Sequence, residues 1–214
     1  MGGVAMMLFE PETVYGTKRP NLNPEIVAKL TKDFKRAPTP EQIFYYIYAV
    51  LYSNVYRIRY IEFLKIDFPR IPFTKDYRLF LDMAEQGELL VNLHLLKSQT
   101  LNNPTVKFQD TGSNKIEQIK YDLLPDSGQP RVYINKEQYF EGVPEEVWAY
   151  QIGGYQVCEK WLKDRKGRLL SLEDIKHYCR VVTAIAKTIE VQREIDTLYP
   201  GVEEEFERIV GKKQ

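Results

Sequence analysis

With 214 residues, 43% of them hydrophobic and 28% charged, the chain has enough apolar content to bury a core and reads as folded, not disordered. Thirty Lys and Arg against thirty Asp and Glu leave no formal net charge, which excludes a whole-molecule attraction to nucleic acid and confines any such site to a local patch. Two Cys and two His without ligand spacing argue against structural zinc, and no apolar run approaches the roughly 20 residues that span a bilayer.

Residues 1–38 read as a lead-in or linker, because Gly2-Gly3, Pro11, Gly16, Pro20 and Pro24 interrupt any long element. An opening this irregular is expected at a cut point within a longer polypeptide. One short helix fits from Pro24 to about Phe34, with Asn23 as N-cap and Ile26, Val27 and Leu30 on its apolar face.

Residues 39–97 form a helical unit. Thr39-Pro40-Glu41-Gln42 has the arrangement of a capping box, and Ile43, Ile47, Val50 and Leu51 follow at helical spacing. Ser53-Asn54 marks a break and a new cap, with a second helix running on to Leu64. Tyr45, Tyr48, Tyr52 and Tyr56 recur about one turn apart, a stripe that suits either a core or a binding face. Phe68-Pro-Arg-Ile-Pro-Phe73 must be extended, since each proline bars helix in the residue before it. Arg70, between those prolines, suits a phosphate contact or a structural ion pair equally. Thr74 then caps a third helix to about Leu96, with Gly87 as a kink or break.

Residues 98–170 are strand-rich. Apolar residues alternate around Phe108, Tyr121 and Val132 and again from Val147 to Ile152, separated by Asp110-Thr-Gly-Ser-Asn114, Pro125-Asp-Ser-Gly128 and Gly142-Val-Pro144. The chain turns at Gly153-Gly154, enters a short amphipathic segment with Val157, Trp161 and Leu162, and ends in a basic knot. Lys160, Lys163, Arg165, Lys166 and Arg168 crowd there; after Trp161 only Asp164 opposes them. Such a knot is either a solvated helix end or a surface that touches phosphate. Trp161 reads as a core anchor.

Residues 171–214 supply closing helices, grouped with 98–170 as one compact domain. Ser171-Leu-Glu-Asp174 starts a long helix carrying Ile175, Tyr178, Val182 and Ile185, expected to stop at Tyr199-Pro-Gly201 before an acidic surface helix. The fold class is therefore α+β: a helical N-terminal unit, a central antiparallel-type sheet of short strands and C-terminal closing helices. Cys158 and Cys179 lie on apolar faces, so buried free thiols and a reducing compartment are expected. Met1 to Leu8 lacks the basic start of a signal peptide, and a cytoplasmic protein without a membrane partner is expected.

Catalytic and cofactor motifs are missing. Gly153-Gly154 lacks the Gly-Lys-Ser/Thr of an NTP loop and the spaced glycines of a dinucleotide fingerprint, and no Gly-x-Ser-x-Gly elbow occurs. His177 and His94 read as structural, His177 as partly buried. No catalytic residue and no metal ligand is assigned.

Several stretches in order resemble one family: Pro20-Asn-Leu-Asn-Pro24, Ile43-Phe-Tyr-Tyr-Ile-Tyr-Ala-Val-Leu-Tyr-Ser53, Glu62-Phe-Leu-Lys-Ile-Asp-Phe-Pro-Arg-Ile-Pro-Phe73, Leu90-Val-Asn-Leu-His-Leu-Leu96 and the stretch from Tyr150 to Arg168. Together they resemble the C-terminal target-recognition (specificity) region of Type ISP restriction-modification enzymes, related to the C-terminal regions of large adenine-N6 DNA methyltransferases. The resemblance implies a sequence-specific module for double-stranded DNA. It would position the target for methylation and restriction by a nuclease, a helicase-like motor and a methyltransferase that precede it. Those domains' motifs, including Asn-Pro-Pro-Tyr/Phe, do not occur here, so no activity is expected from this chain alone. S-adenosylmethionine, ATP and Mg are expected only for the other domains of the parent enzyme, and its methyltransferase domain is an expected partner.

For that role Lys160, Lys163, Arg165, Lys166 and Arg168 are the phosphate-contact candidates. Asn114, Lys115, Gln129, Arg131, Asn135 and Gln138, polar residues on the strand loops, are the base-reading candidates. A rival reading is a protein-interaction domain that couples a methyltransferase to a motor. A third is a self-contained nucleic-acid-modifying enzyme.

Overall fold

A computed structural model describes residues 20–126 and 128–210, with side chains as far as residue 204. The expected lead-in before residue 20 lies outside the described residues. Of those described, 20–91 and 191–210 belong to one compact unit and Asn92–Glu190 to a second. The fold is α+β, as the alternation of periodicities indicates.

The first unit is helical. Helix α1 (Pro24–Phe34) is capped by Asn23, whose Oδ1 accepts the Glu25 amide at 2.8 Å. Helix α2 (Pro40–Tyr52) opens on the expected capping box: Thr39 Oγ1 accepts the Gln42 amide, and Gln42 Oε1 accepts the Thr39 amide. The expected single helix from Ser53 to Leu64 is two, α3 (Asn54–Arg59) and α4 (Ile61–Leu64), broken at Tyr60. The proline strap follows as expected without helix and is fastened by phenols. Tyr46 Oη donates to the Pro72 carbonyl at 2.8 Å, and Tyr56 Oη donates to the Arg70 carbonyl at 3.0 Å. Tyr46 and Tyr56 are fully buried, whereas Tyr45, Tyr48 and Tyr52 are half-buried against the same core, which favours packing over a binding face.

Helix α5 (Tyr77–His94) starts later than expected because Asp76, not Thr74, caps it: its carboxylate accepts the amides of Arg78 and Leu79. It runs through Gly87 without a break. A Cβ at Gly87 would sit 1.9 Å from the Tyr45 carbonyl oxygen, so the glycine serves the close approach of α5 to α2. Helix α8 (Leu172–Val210) likewise passes the expected stop, with Pro200 inside it. Residues 191–204 pack into the first unit through buried Ile195, Tyr199 and Val202, so this half of α8 does not group with 98–170. Burial of those three side chains outweighs the hydrogen bond that Pro200 cannot donate.

In the second unit, strands β1 (Lys107–Gln109), β2 (Lys120–Asp122), β3 (Arg131–Tyr133) and β4 (Tyr139–Glu141) form an antiparallel sheet in the order β1-β4-β3-β2. Its inner face, Val132 and Phe140, packs on α8, with the Phe140 and Tyr178 ring centroids 4.4 Å apart. The apolar run at Val147 is not strand. Pro144 and the acids Glu145 and Glu146 start a turn of helix, α6 (Glu145–Trp148), which buries Val147 and Trp148. A hairpin then forms from β5 (Gln151–Ile152) and β6 (Tyr155–Gln156), and α7 (Val157–Lys163) follows. Gly153 and Gly154 carry φ of 58° and 83°, the pair of positive values that a type I′ turn demands.

Candidate nucleic-acid interface

The basic knot occupies the end of α7 and the turn after it. Cys158 and Leu162 face the core, so Lys160 and Lys163 face out. Both are partnered along the helix: Lys160 Nζ lies 2.8 Å from Asp164, and Lys163 Nζ lies 2.8 Å from Glu159. Exposed pairs of this kind contribute little to stability and yield readily to a stronger anion. Arg165 is stacked 3.8 Å from the Trp161 ring centroid, and its Nη1 donates to the Trp161 carbonyl. Trp161 is half-buried on the core side, 4.9 Å from the Tyr178 ring, which fits an anchor. Lys166 and Arg168 are exposed and form no ion pair among the described residues. Gly167, at φ 83°, makes the tight turn between them.

That turn is joined to the loop before β2. The Gly167 amide donates to the Ile116 carbonyl at 2.7 Å, the Ile116 amide to the Arg168 carbonyl at 3.0 Å, and the Leu170 amide to the Asn114 carbonyl at 2.8 Å. Lys115 stands opposite Leu169 in this bridge, about one strand spacing (~5 Å) away. The backbone of 114–116 therefore lies against that of 167–170, and Lys115, Lys166 and Arg168, from segments fifty residues apart, are each exposed on these adjoining segments.

The other base-reading candidates divide sharply. Gln138 is fully buried. Its Oε1 accepts the Asn114 amide at 2.7 Å and Asn135 Nδ2 at 3.0 Å, and its Nε2 donates to the Asp110 carbonyl at 3.3 Å and Asn114 Oδ1 at 2.7 Å. Asn135 is as fully engaged: Nδ2 reaches the Lys115 carbonyl and Gln138, and Oδ1 accepts the amides of Glu137 and Gln138. A primary amide has two donors and two acceptor lone pairs. Neither side chain has one left over, so Asn135 and Gln138 brace the loop from within. Asn114 turns inward with them. A polar residue in a strand loop looks alike in sequence whether it points out or in.

Arg131 lies on the outer sheet face, with Nη2 3.1 Å from Glu141 and its guanidinium 4.1 Å above the Tyr139 ring. Hydrogen bonding to Tyr133 and Glu141 outweighs its partial burial and raises its already high pKa, so the charge is fixed and locally balanced. Gln129 is exposed. Thr111 and Ser113, not among the candidates from sequence, are exposed on the same loop as Lys115. Arg70 belongs to the first unit, 3.7 Å from Asp67 and over the Phe63 ring.

Both cysteines are buried free thiols, and burial pushes Cys158 up to about 12 and Cys179 up to about 11. His177 is exposed beside Trp161, contrary to the partly buried place expected for it. His94 is half-buried; its Nε2 lies 3.0 Å from Thr188 Oγ1, and desolvation lowers its pKa. No helix among the described residues is long and apolar enough to cross a membrane.

An α+β domain with a buried amide bracket under one loop and a basic turn paired to it has the layout of a recognition domain. The chain belongs to the family described as the Type ISP C-terminal specificity domain, whose model matches residues 3–194. Among solved structures, the fold is similar to part of the DrdV–DNA complex, with a TM-score of 0.69 and 23% identity over 87% of this chain. It is also similar to the Type ISP restriction-modification enzyme LlaBIII bound to DNA (TM-score 0.61, 20% identity, 84% of this chain). A nuclease-deletion mutant of the Type ISP enzyme LlaGI, in complex with a DNA substrate mimic, matches at a TM-score of 0.54 and 22% identity over 74% of this chain. The chain spans 21%, 12% and 14% of those three proteins respectively. No curated protein matches it.

Proposed function

We propose that this chain is a sequence-specific duplex DNA recognition module, the target-recognition part of a restriction-modification enzyme. It would position the target for adenine-N6 methylation and restriction by domains that it does not itself contain. The observation that carries the reading is the pairing of the 114–116 segment with the 167–170 turn, which joins the loop carrying exposed Lys115 to the turn carrying exposed Lys166 and Arg168. Family membership and the DNA-bound state of the structurally similar enzymes support it. On such a surface, Lys166 and Arg168 hold phosphates and the loop faces the base edges.

The test is duplex binding as a function of salt. Replacing Lys166 and Arg168 together by Glu should weaken every duplex alike and flatten the logarithmic salt dependence by about two units. A double variant that binds like wild type would overturn the phosphate role. S-adenosylmethionine, ATP and Mg then belong to the parent enzyme's other domains, and buried thiols suit a reducing, cytoplasmic setting.

A second reading, docking onto the methyltransferase domain of the parent polypeptide, has an observation of its own in the first unit. Ile58, Ile66 and Phe68 are 73%, 82% and 88% exposed, and the same unit carries a groove of about 280 Å³ lined by Tyr56, Phe63, Pro69 and Ile71. Apolar surface of that kind marks a contact with protein. The two readings concern different units and do not compete for residues.

A further inference from the structure

We infer that Thr111, Ser113 and Lys115 are the side chains with which this chain discriminates bases, and that Gln138 is the positioning residue that holds their loop in reading shape. The inference rests on the DNA-recognition reading above and assigns its specificity.

The loop from Asp110 to Lys115 is held at both ends by one buried side chain. Gln138 reaches the Asp110 carbonyl at the start and both the amide and the Oδ1 of Asn114 at the end. Asp110 and Asn114 carry φ of 73° and 56°, left-handed conformations that Asp and Asn tolerate better than other side-chain-bearing residues. Between them Gly112 crosses directly over the bracket. A Cβ there would meet Gln138 Cδ and Oε1 at 2.8 Å, so glycine lets the amide lie under the loop. With the backbone clamped from inside, the side chains of Thr111, Ser113 and Lys115 are left outside.

Their chemistry suits base edges. Ser113 Oγ accepts the Lys115 amide at 3.2 Å, which fixes its oxygen and leaves its proton to donate. Thr111 offers a hydroxyl and a methyl group, and Lys115 an ammonium, the complements of purine acceptors and of the thymine methyl in the major groove. A loop that is already ordered loses little entropy on binding, and its donors keep the fixed directions that discrimination between bases requires. Lys166 and Arg168, on the turn paired to the same segment, supply the sequence-independent grip.

The experiment selects bound duplexes from a randomised pool, using the wild-type chain and Lys115→Gln, Ser113→Ala, Thr111→Ala and Gln138→Met variants. The wild type should enrich a consensus. Lys115→Gln should change or relax the preference at one position by about tenfold. Gln138→Met should flatten the consensus at several positions, yet leave affinity for a scrambled duplex within about twofold, because the cations of the knot are untouched. Retention of the wild-type consensus by Lys115→Gln, Ser113→Ala and Thr111→Ala would overturn the base-reading assignment. So would an equal loss by Lys115→Gln on all duplexes, which would make Lys115 a phosphate contact. Retention by Gln138→Met alone would overturn the positioning role. If Gln138→Met does not fold, Gly112→Ala carries that arm, and the exposed substitutions still decide the reading residues. Absence of any consensus for the wild type is a different result, and it overturns the DNA-recognition reading itself.

Discussion

In the unit made of 20–91 and 191–210, polar side chains hold helix ends and backbone crossings. Asp196 on α8 accepts Ser53 Oγ at 2.8 Å and the Asn54 amide at 2.8 Å, capping α3 from another helix, and Tyr46 hangs the proline strap from α2. In Asn92–Glu190 the same kind of chemistry holds loops: Gln138 and Asn135 saturate their amides beneath the 110–115 loop. The surfaces differ accordingly. The first unit exposes apolar Ile66 and Phe68, and the second exposes cationic Lys115, Lys166 and Arg168. A helix end fixed from inside is a structural joint, whereas a loop fixed from inside is a presented surface.

The sharpest way to break this contrast is Gly87→Ala. The new methyl group would meet backbone, not a side chain that can swing away, and a cost of about 3 kcal/mol or more is expected from denaturant unfolding. Asp196→Ala comes next. It leaves the first amides of α3 and Ser53 Oγ without their acceptor, for a loss of about 2 kcal/mol. Hydrogen exchange should place that loss in peptides covering 40–64, with 107–141 still protected; exchange spread equally over both would merge the two units energetically. The smallest effect concerns the thiols of the second unit. Cys158 and Cys179 titrate higher folded than unfolded, so their contribution is intact at neutral pH. It is lost only as pH rises above the unfolded thiol's ~8.5, toward about 11 for Cys179 and about 12 for Cys158. A disulfide reagent at pH 8 should therefore label the native chain slowly and the guanidinium-unfolded chain at once, and equal rates would show that the core around these thiols is open.

Elements whose cause is local were legible in the chain. Asn23 before Pro24, Thr39 with Gln42, and Ser53 at the break each signal a helix start within four residues, and each is found there. Gly153-Gly154 signals its hairpin in the same way. What was not legible depends on partners far off in sequence. Gly87 is indistinguishable from a helix break until Tyr45 lies against it, and Pro200 from a helix stop until Tyr199 and Val202 are buried. The site follows this rule. A cluster of like charges within nine residues, 160–168, declares itself, but the inward placement of Asn114, Asn135 and Gln138 does not, because inward and outward amides share one sequence signature. Gly112 is the clue the sequence holds: a glycine in the middle of a polar loop, where the structure shows that a Cβ would strike Gln138.

The path of the chain through its two units also bears on how new specificities could be made. Residues 92–190 are a single uninterrupted stretch, but both of its boundaries fall inside helices, α5 and α8. Transplanting the whole stretch between relatives would sever two helices and require each junction to be rebuilt in register. Exchanging only 110–115, with 135 and 138 retained as the cradle, cuts no helix and touches no apolar core residue. For a designer, the economical unit of change is six residues long.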